Sequence, residues 1–79
     1  MTNSEALAGV FATSLGIDAA KVVPGLAYNA IPEWDSIAHM ALVAAIERHF
    51  DVMLDTDEIL GMSSFAESQN ILARHGIAF

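Results

Sequence analysis

The sequence of 79 residues contains no cysteine, which excludes disulfide bonds and thiolate chemistry by its own side chains. Basic residues are also scarce: three stand against ten acidic ones, for a formal net charge of −7. A field of that sign repels phosphate backbones, so we expect no direct nucleic-acid binding, and it attracts basic patches on other proteins. No apolar run approaches the ~20 residues that a membrane-spanning helix needs.

The amino terminus, Met1 to Glu5, lacks the basic cluster and apolar stretch of a secretory signal. We therefore expect a soluble, cytoplasmic protein. Hydrophobic residues make up 54% of the chain and charged ones 16%, a composition typical of a globular domain. The length predicts a single domain over residues 1–79 with a modest core.

Two long segments have the signals of helices. The first begins at a capping pair, Thr2 with Glu5 three residues later, and Gly16 is placed to end it. The second extends over residues 35–50 without glycine or proline and opens with two good N-terminal residues. Both are predicted to pack one apolar face into the core.

Two shorter helices follow. Residues 56–60 predict a short helix with a threonine cap and acidic residues in its first turn, stopped by Gly61. The last helix begins at a capping box of Ser64 and Glu67 and continues to Gly76. No segment alternates with period two for long enough to predict a strand. The sequence therefore predicts an all-α bundle of three longer antiparallel helices and one short helix.

The connection over residues 16–35 is longer than compact domains usually contain. It carries many large apolar side chains, so it is not a solvated linker, and proline and glycine shape its turns. These apolar residues are Val22, Val23, Leu26, Tyr28, Ile31 and Trp34. We expect this loop to pack across the bundle and to deliver residues 34–36 to a fixed, exposed place at a helix start.

The second helix has two apolar faces. One is an ordinary core stripe, made of Leu42, Val43, Ile46 and Phe50. The other, here called the outer strip, consists of Ile37, Met40, Ala41 and Ala44. Two interpretations stay open: the outer strip is an exposed surface for partners, or the long loop covers it. In and around the third helix, we expect four apolar residues to pack against the second helix and close the bundle: Leu54, Ile59, Leu60 and Met62.

The clearest resemblance lies at residues 33–40, which read EWDSIAHM and resemble the Asp-Ser-Leu/Ile signature of acyl and peptidyl carrier proteins. Residues 42–50 are similar to the second helix of that family, and residues 59–65 to its third helix and the start of its fourth. An isolated Asp-Ser-Ile is also a common N-cap. Its position near the middle of an acidic four-helix pattern makes the resemblance specific.

The resemblance implies that Ser36 is the attachment point of a 4′-phosphopantetheine arm, donated from coenzyme A by a Mg²⁺-dependent phosphopantetheinyl transferase. The terminal thiol of the arm would hold an acyl or aminoacyl cargo as a thioester, which fits a chain without cysteine. Asp35 would help the transferase and its metal ion to recognise the site. The resemblance further implies a carrier rather than an enzyme, a monomer served by an acyl- or aminoacyl-activating ligase and downstream transferases.

The sequence also departs from the carriers of fatty acid synthesis, which usually have further acidic residues along the second helix. Here Ala38, His39, Ala41 and Arg48 stand there instead. Trp34 before the signature is similar to aminoacyl, D-alanyl and stand-alone dedicated carriers. The resemblance therefore favours a dedicated biosynthetic pathway. The expected partner contacts are apolar residues of the outer strip and acidic residues that steer basic partners, namely Ile37, Met40, Ala41, Glu33, Asp57 and Glu58.

Other constellations compete with the carrier hypothesis. Ser36 and His39 are three residues apart on a helix and could form a hydrolase dyad, although no third group or oxyanion hole is apparent. Residues 55–57 resemble the start of a calcium loop without its glycine and terminal glutamate. The three histidines have no close metal-ligand spacing, so we interpret them as ordinary surface or edge residues and predict no metal site. The alternative function is a non-covalent helical interaction module that docks partners on Ile37 and Met40.

Overall fold

The computed structural model describes Thr2 to Phe79, and within that range the chain forms four α-helices. They are α1 (Asn3–Leu15), α2 (Ser36–Phe50), α3 (Thr56–Gly61) and α4 (Phe65–Arg74). α1 packs mainly against α2. The prediction of three longer helices and one short one, with a long loop between the first two, is confirmed. A short 3₁₀ turn at Ala19–Lys21, within that loop, was not predicted.

The capping signals of α1 act as the sequence predicts. The Thr2 hydroxyl accepts a hydrogen bond from the Glu5 N–H at 3.1 Å, and the Glu5 carboxylate accepts one from the Thr2 N–H at 3.1 Å. Gly16 ends the helix in the left-handed conformation at φ 68°, which a residue with a Cβ adopts only at a cost. Reciprocal bonds of this kind satisfy donors that the helix itself leaves free.

The predicted cap of α3 was wrong by one residue. Asp55, not Thr56, is the cap: its carboxylate accepts from the Glu58 N–H at 2.8 Å, and Glu58 accepts from the Asp55 N–H at 3.1 Å. The reason is spacing, because a capping box needs an acid three residues on, and Thr56 has Ile59 there. Gly61 belongs to the helix and does not stop it.

The start of α4 was predicted correctly, but its capping box is only half formed. The Ser64 hydroxyl accepts from the Glu67 N–H at 3.0 Å. The Glu67 carboxylate points forward instead, accepting from the Asn70 amide at 3.5 Å. The helix ends at Arg74, two residues before Gly76, which has a positive φ of 87°.

The core is built around Phe11 of α1. Its ring makes T-shaped contacts with the rings of Trp34, at a centroid distance of 5.4 Å, and Phe65, at 5.0 Å. Leu26 and Trp34 of the long loop are both buried, which confirms that this loop packs across the bundle. The loop is also tied to the start of α4 by a hydrogen bond from the Phe65 N–H to the Leu26 carbonyl at 2.9 Å.

Not every apolar residue assigned to the interior lies there. Leu54 and Met62 are buried as expected, whereas the side chain of Leu60 is 76% exposed. α3 has six residues and offers the bundle one narrow face, so Ile59 turns partly inward and its neighbour Leu60 turns outward. Val23 and Tyr28 of the loop are also partly exposed.

Across the described residues, no helix combines the length and apolar character that crossing a bilayer demands.

Candidate functional site

The start of α2 presents Asp35 and Ser36 at the surface. Asp35 is the N-cap, and its carboxylate accepts from the Ala38 N–H at 2.9 Å. Ser36 is the first helical residue, and its side chain is exposed. Backbone N–H groups of a first turn have no acceptor within the helix, and they lie at the positive end of the helix dipole. A negative group on the Ser36 oxygen would therefore be stabilised by its own helix.

The segment that leads into α2 is anchored by Trp34, whose side chain is fully buried. The Trp34 carbonyl accepts from the Asn29 N–H at 3.0 Å, and the Trp34 N–H donates to the Ile31 carbonyl at 3.2 Å. Asn29 has the left-handed backbone conformation, with φ 66°, that turns the chain back on itself. A buried anchor within a hydrogen-bonded turn thus fixes the exposed Asp35 and Ser36 that follow.

Ser36 opens onto a groove between the start of α2 and α3. The groove has a volume of about 290 Å³. Its lining is mainly apolar and comes from three parts of the chain: Tyr28 of the loop; Ser36, His39 and Met40 of α2; and Ile59, Leu60, Met62 and Ser63 from α3 and the corner after it. The exposed Ser36 hydroxyl therefore stands at an apolar surface groove.

The outer strip of α2 is exposed, so the interpretation that the long loop covers it is wrong. Ile37 is 82% exposed and Met40 56%, and Ala41 and Ala44 are exposed beside them. Because Met40 and the exposed Leu60 both line the groove, the outer strip continues into it. Exposed apolar residues that adjoin one another in this way are typical of interaction surfaces.

The acidic residues predicted to face partners differ in exposure and in hydrogen bonding. Glu33 and Asp57 are exposed. Glu58 is only partly exposed, and its carboxylate bonds to Nε2 of His75 at 2.8 Å as well as to Asp55. The Asp55 N–H, helped by His75, lowers the pKa of Glu58. Glu58 therefore serves first to hold α3 in place.

His39, predicted as an ordinary surface or edge residue, lies at the edge of the core and is bonded on both sides of its ring. Its ring is partly buried, and both nitrogens are bonded: Nδ1 accepts from the indole N–H of Trp34 at 3.0 Å, and Nε2 donates to the carbonyl of Ile59 at 2.9 Å. A Ser36–His39 dyad would need a ring nitrogen free to take the serine proton. Since neither nitrogen is free, the structure gives that dyad no base.

The other two histidines differ from each other. His75 pairs with Glu58, whereas His49 is exposed and packs edge-on against Phe50. Among residues 2–79, no group of three or more acidic, histidine or cysteine side chains is arranged to hold a metal ion.

No protein-family model matches this chain, and a search of curated proteins finds no match.

Proposed function

We propose that this chain is a stand-alone carrier protein, with a 4′-phosphopantetheine arm on Ser36 that holds acyl or aminoacyl intermediates as thioesters. The observation that carries the proposal is the exposed Ser36 hydroxyl at the first position of a 15-residue helix, beside an apolar groove and an exposed apolar strip. The resemblance of residues 33–40 to the carrier signature gives this geometry its chemical meaning.

The residues around Ser36 fit such an arm. The hydroxyl is accessible, and the phosphodiester anion would lie beside the free N–H groups of the first turn of α2. In the loading step the Ser36 oxygen attacks the phosphorus next to pantetheine in coenzyme A and the pyrophosphate P–O bond breaks. Adenosine bisphosphate leaves, and the serine proton passes to a base of the transferase. The arm supplies the thiol that this cysteine-free chain lacks.

Partner enzymes would contact the outer strip and the rim of the groove. Ile37, Met40 and Ala41 offer exposed apolar surface within two turns of Ser36, and methionine repacks readily against different partners. The exposed Glu33 and Asp57, within a net charge of −7, would speed the encounter with basic surfaces. The partners are a phosphopantetheinyl transferase, an activating ligase and downstream transferases of a dedicated pathway, met by the monomer in the cytoplasm.

The second candidate is a non-covalent interaction module. It is favoured by the same exposures, 82% at Ile37 and 56% at Met40, which a partner helix could cover. That function needs neither the Ser36 hydroxyl nor the Asp35 charge. The two proposals therefore separate on substitutions of Ser36.

The test is loading with coenzyme A, Mg²⁺ and a transferase of broad specificity, measured by mass, for the unaltered chain, Ser36→Ala and Ser63→Ala. Ser63 is the matched control, because it is exposed and lines the same groove. We expect the unaltered chain and Ser63→Ala to load fully and Ser36→Ala not at all, with equal helicity. Loading of Ser36→Ala would exclude the proposed site. A Ser36→Ala protein that still binds its partner in full would support the non-covalent module.

A further inference from the structure

A chain of hydrogen bonds crosses the groove beside Ser36. It runs from the indole N–H of Trp34 to Nδ1 of His39 at 3.0 Å, and from Nε2 of His39 to the carbonyl of Ile59 at 2.9 Å. Trp34 belongs to the long loop, His39 to α2 and Ile59 to α3. Because His39 and Ile59 line opposite walls of the groove, the second bond ties those walls together.

The bonding partners define the state of the His39 ring. An indole N–H only donates, so Nδ1 carries no proton, and a carbonyl only accepts, so Nε2 carries one. The ring is also stacked on the Trp34 indole, at a centroid distance of 6.0 Å and an angle of 20°. A neutral imidazole supplies the acceptor and the donor at once, which no other side chain does from a ring of this shape.

α3 is a short helix that is anchored mainly at its two ends. It contains six residues, none of them fully buried, and isolated helices of that length are unstable in water. The buried Leu54 and Met62 flank it, Ile59 packs against the core, and Glu58 pairs with His75 at the surface. The hydrogen bond from His39 adds a direct polar link from α2 to the backbone of α3 across the groove.

We propose that His39 is a positioning residue that fixes α3 across the groove and closes the groove towards the core. Behind the imidazole lies the Trp34 indole, fully buried and packed against Phe11. An acyl or aminoacyl cargo that reaches this site would then lie in the surface groove, against its apolar lining, and not between the helices of the bundle. The identity of the cargo rests on the proposed function. The bridge, meaning the two hydrogen bonds from Trp34 through His39 to Ile59, does not.

The absence of cysteine allows a test without any transferase. Ser36→Cys creates a unique thiol, whose thiolate attacks the sulfenyl sulfur of an alkyl thiosulfonate, forming a mixed disulfide while the sulfinate leaves. Methyl and octyl groups are attached in three backgrounds: His39 intact, His39→Phe, and the control His49→Phe, an exposed histidine of the same helix. The measurement is the melting temperature of octyl against methyl protein.

We expect the gain of octyl over methyl to be several degrees larger with His39→Phe than with His39 intact or with His49→Phe. In that variant the ring remains but both bonds are lost, so α3 can move and the alkyl chain can bury more apolar surface than the groove alone offers. An octyl gain of the same size in all three backgrounds would overturn the proposal. If His39→Phe does not fold, His39→Leu, which has neither a donor nor an acceptor in its side chain, is expected to change in the same direction.

A spectroscopic measurement reports on the bridge itself. Trp34 is the one tryptophan of the chain, so its indole N–H resonance is unambiguous. We expect that proton to exchange slowly with His39 intact and at least tenfold faster in His39→Phe, whereas His49→Phe leaves it unchanged. An unchanged exchange rate in a folded His39→Phe protein would show that the bridge does not exist. Since neither experiment uses coenzyme A, a failure here and a failure of Ser36 loading are distinguishable.

Discussion

At the scale of single residues, two methionines that line one groove have opposite surroundings. Met40 is 56% exposed on the outer strip, whereas Met62 is 1% exposed and belongs to the core. Their side chains are the same in size and chemistry, so any difference between equal substitutions comes from position alone. They therefore form a matched pair for separating partner contact from packing.

We predict that Met40→Glu slows transfer onto Ser36 severalfold while the free energy of unfolding changes by less than ~0.5 kcal/mol, because the side chain is already in water. Met62→Glu should cost ~4 kcal/mol or more, since it buries an unpaired charge. Thermal melts and the rate of loading measure the two effects. A large loss of stability in Met40→Glu would show that Met40 is a core residue and not a partner contact.

Asp35 combines a structural role with a proposed recognition role, and two substitutions separate them. Asparagine caps helices about as well as aspartate, whereas alanine loses the cap at a cost of ~1 kcal/mol. We therefore predict that Asp35→Asn melts like the unaltered chain, and that Asp35→Ala melts lower because the Ala38 N–H loses its acceptor. Both should load more slowly. If Asp35→Asn loads at the unaltered rate, Asp35 acts as a cap and its charge is not recognised.

At the scale of elements, α3 should lose stability in acid. The Asp55 N–H and His75 lower the pKa of Glu58 from its ordinary value of 4.5. A carboxyl group whose pKa is lower in the folded than in the unfolded chain stabilises the fold fully above the unfolded value. That contribution is lost as the pH falls from about 4.5 through the lower, folded pKa.

The corresponding prediction compares Glu58→Gln with the unaltered chain in melts from neutral pH downwards. The variant should melt at a lower temperature than the unaltered chain at neutral pH. This difference in melting temperature should shrink as the pH falls below 4.5, because the carboxylate of the unaltered chain is then protonated and uncharged, as the glutamine is. Asp57→Asn is the control for the loss of one acid, since Asp57 is exposed on the same helix. A gap that stays constant with pH would contradict the role assigned to the ionised Glu58.

Helix ends were predictable where the signal is local. The boundaries of α1 and α2 follow from side chains that bond to backbone groups three residues away, as Thr2 and Asp35 do. The bridge of His39 was not predictable in this way. Its partners lie five and twenty residues away, at Trp34 and Ile59, and neither spacing is one at which helical side chains meet. The sequence therefore indicated an ordinary surface or edge histidine where the fold places a link.

At the scale of the whole molecule, capping signals, the positions of glycine and proline and the lack of period-two alternation together predicted the all-α class. The apolar residues of the long loop predicted that it packs on the bundle. The groove could not be predicted from these sequence patterns. Its walls come from the loop at Tyr28, from α2, and from the segment 59–63, whose approach depends on how the loop packs. Sequence patterns describe faces of single helices, but a cavity between three segments exists only once those segments are placed.

The central claim is that Ser36 carries the arm, and the intact mass of the unaltered chain tests it most directly. The folded protein is incubated with coenzyme A, Mg²⁺ and a transferase of broad specificity, beside a carrier protein known to load. We expect a gain of one phosphopantetheine per chain, which peptide mapping assigns to Ser36. An unchanged mass in the folded protein, while the control carrier loads, would rule out the arm on Ser36 and favour the non-covalent interaction module.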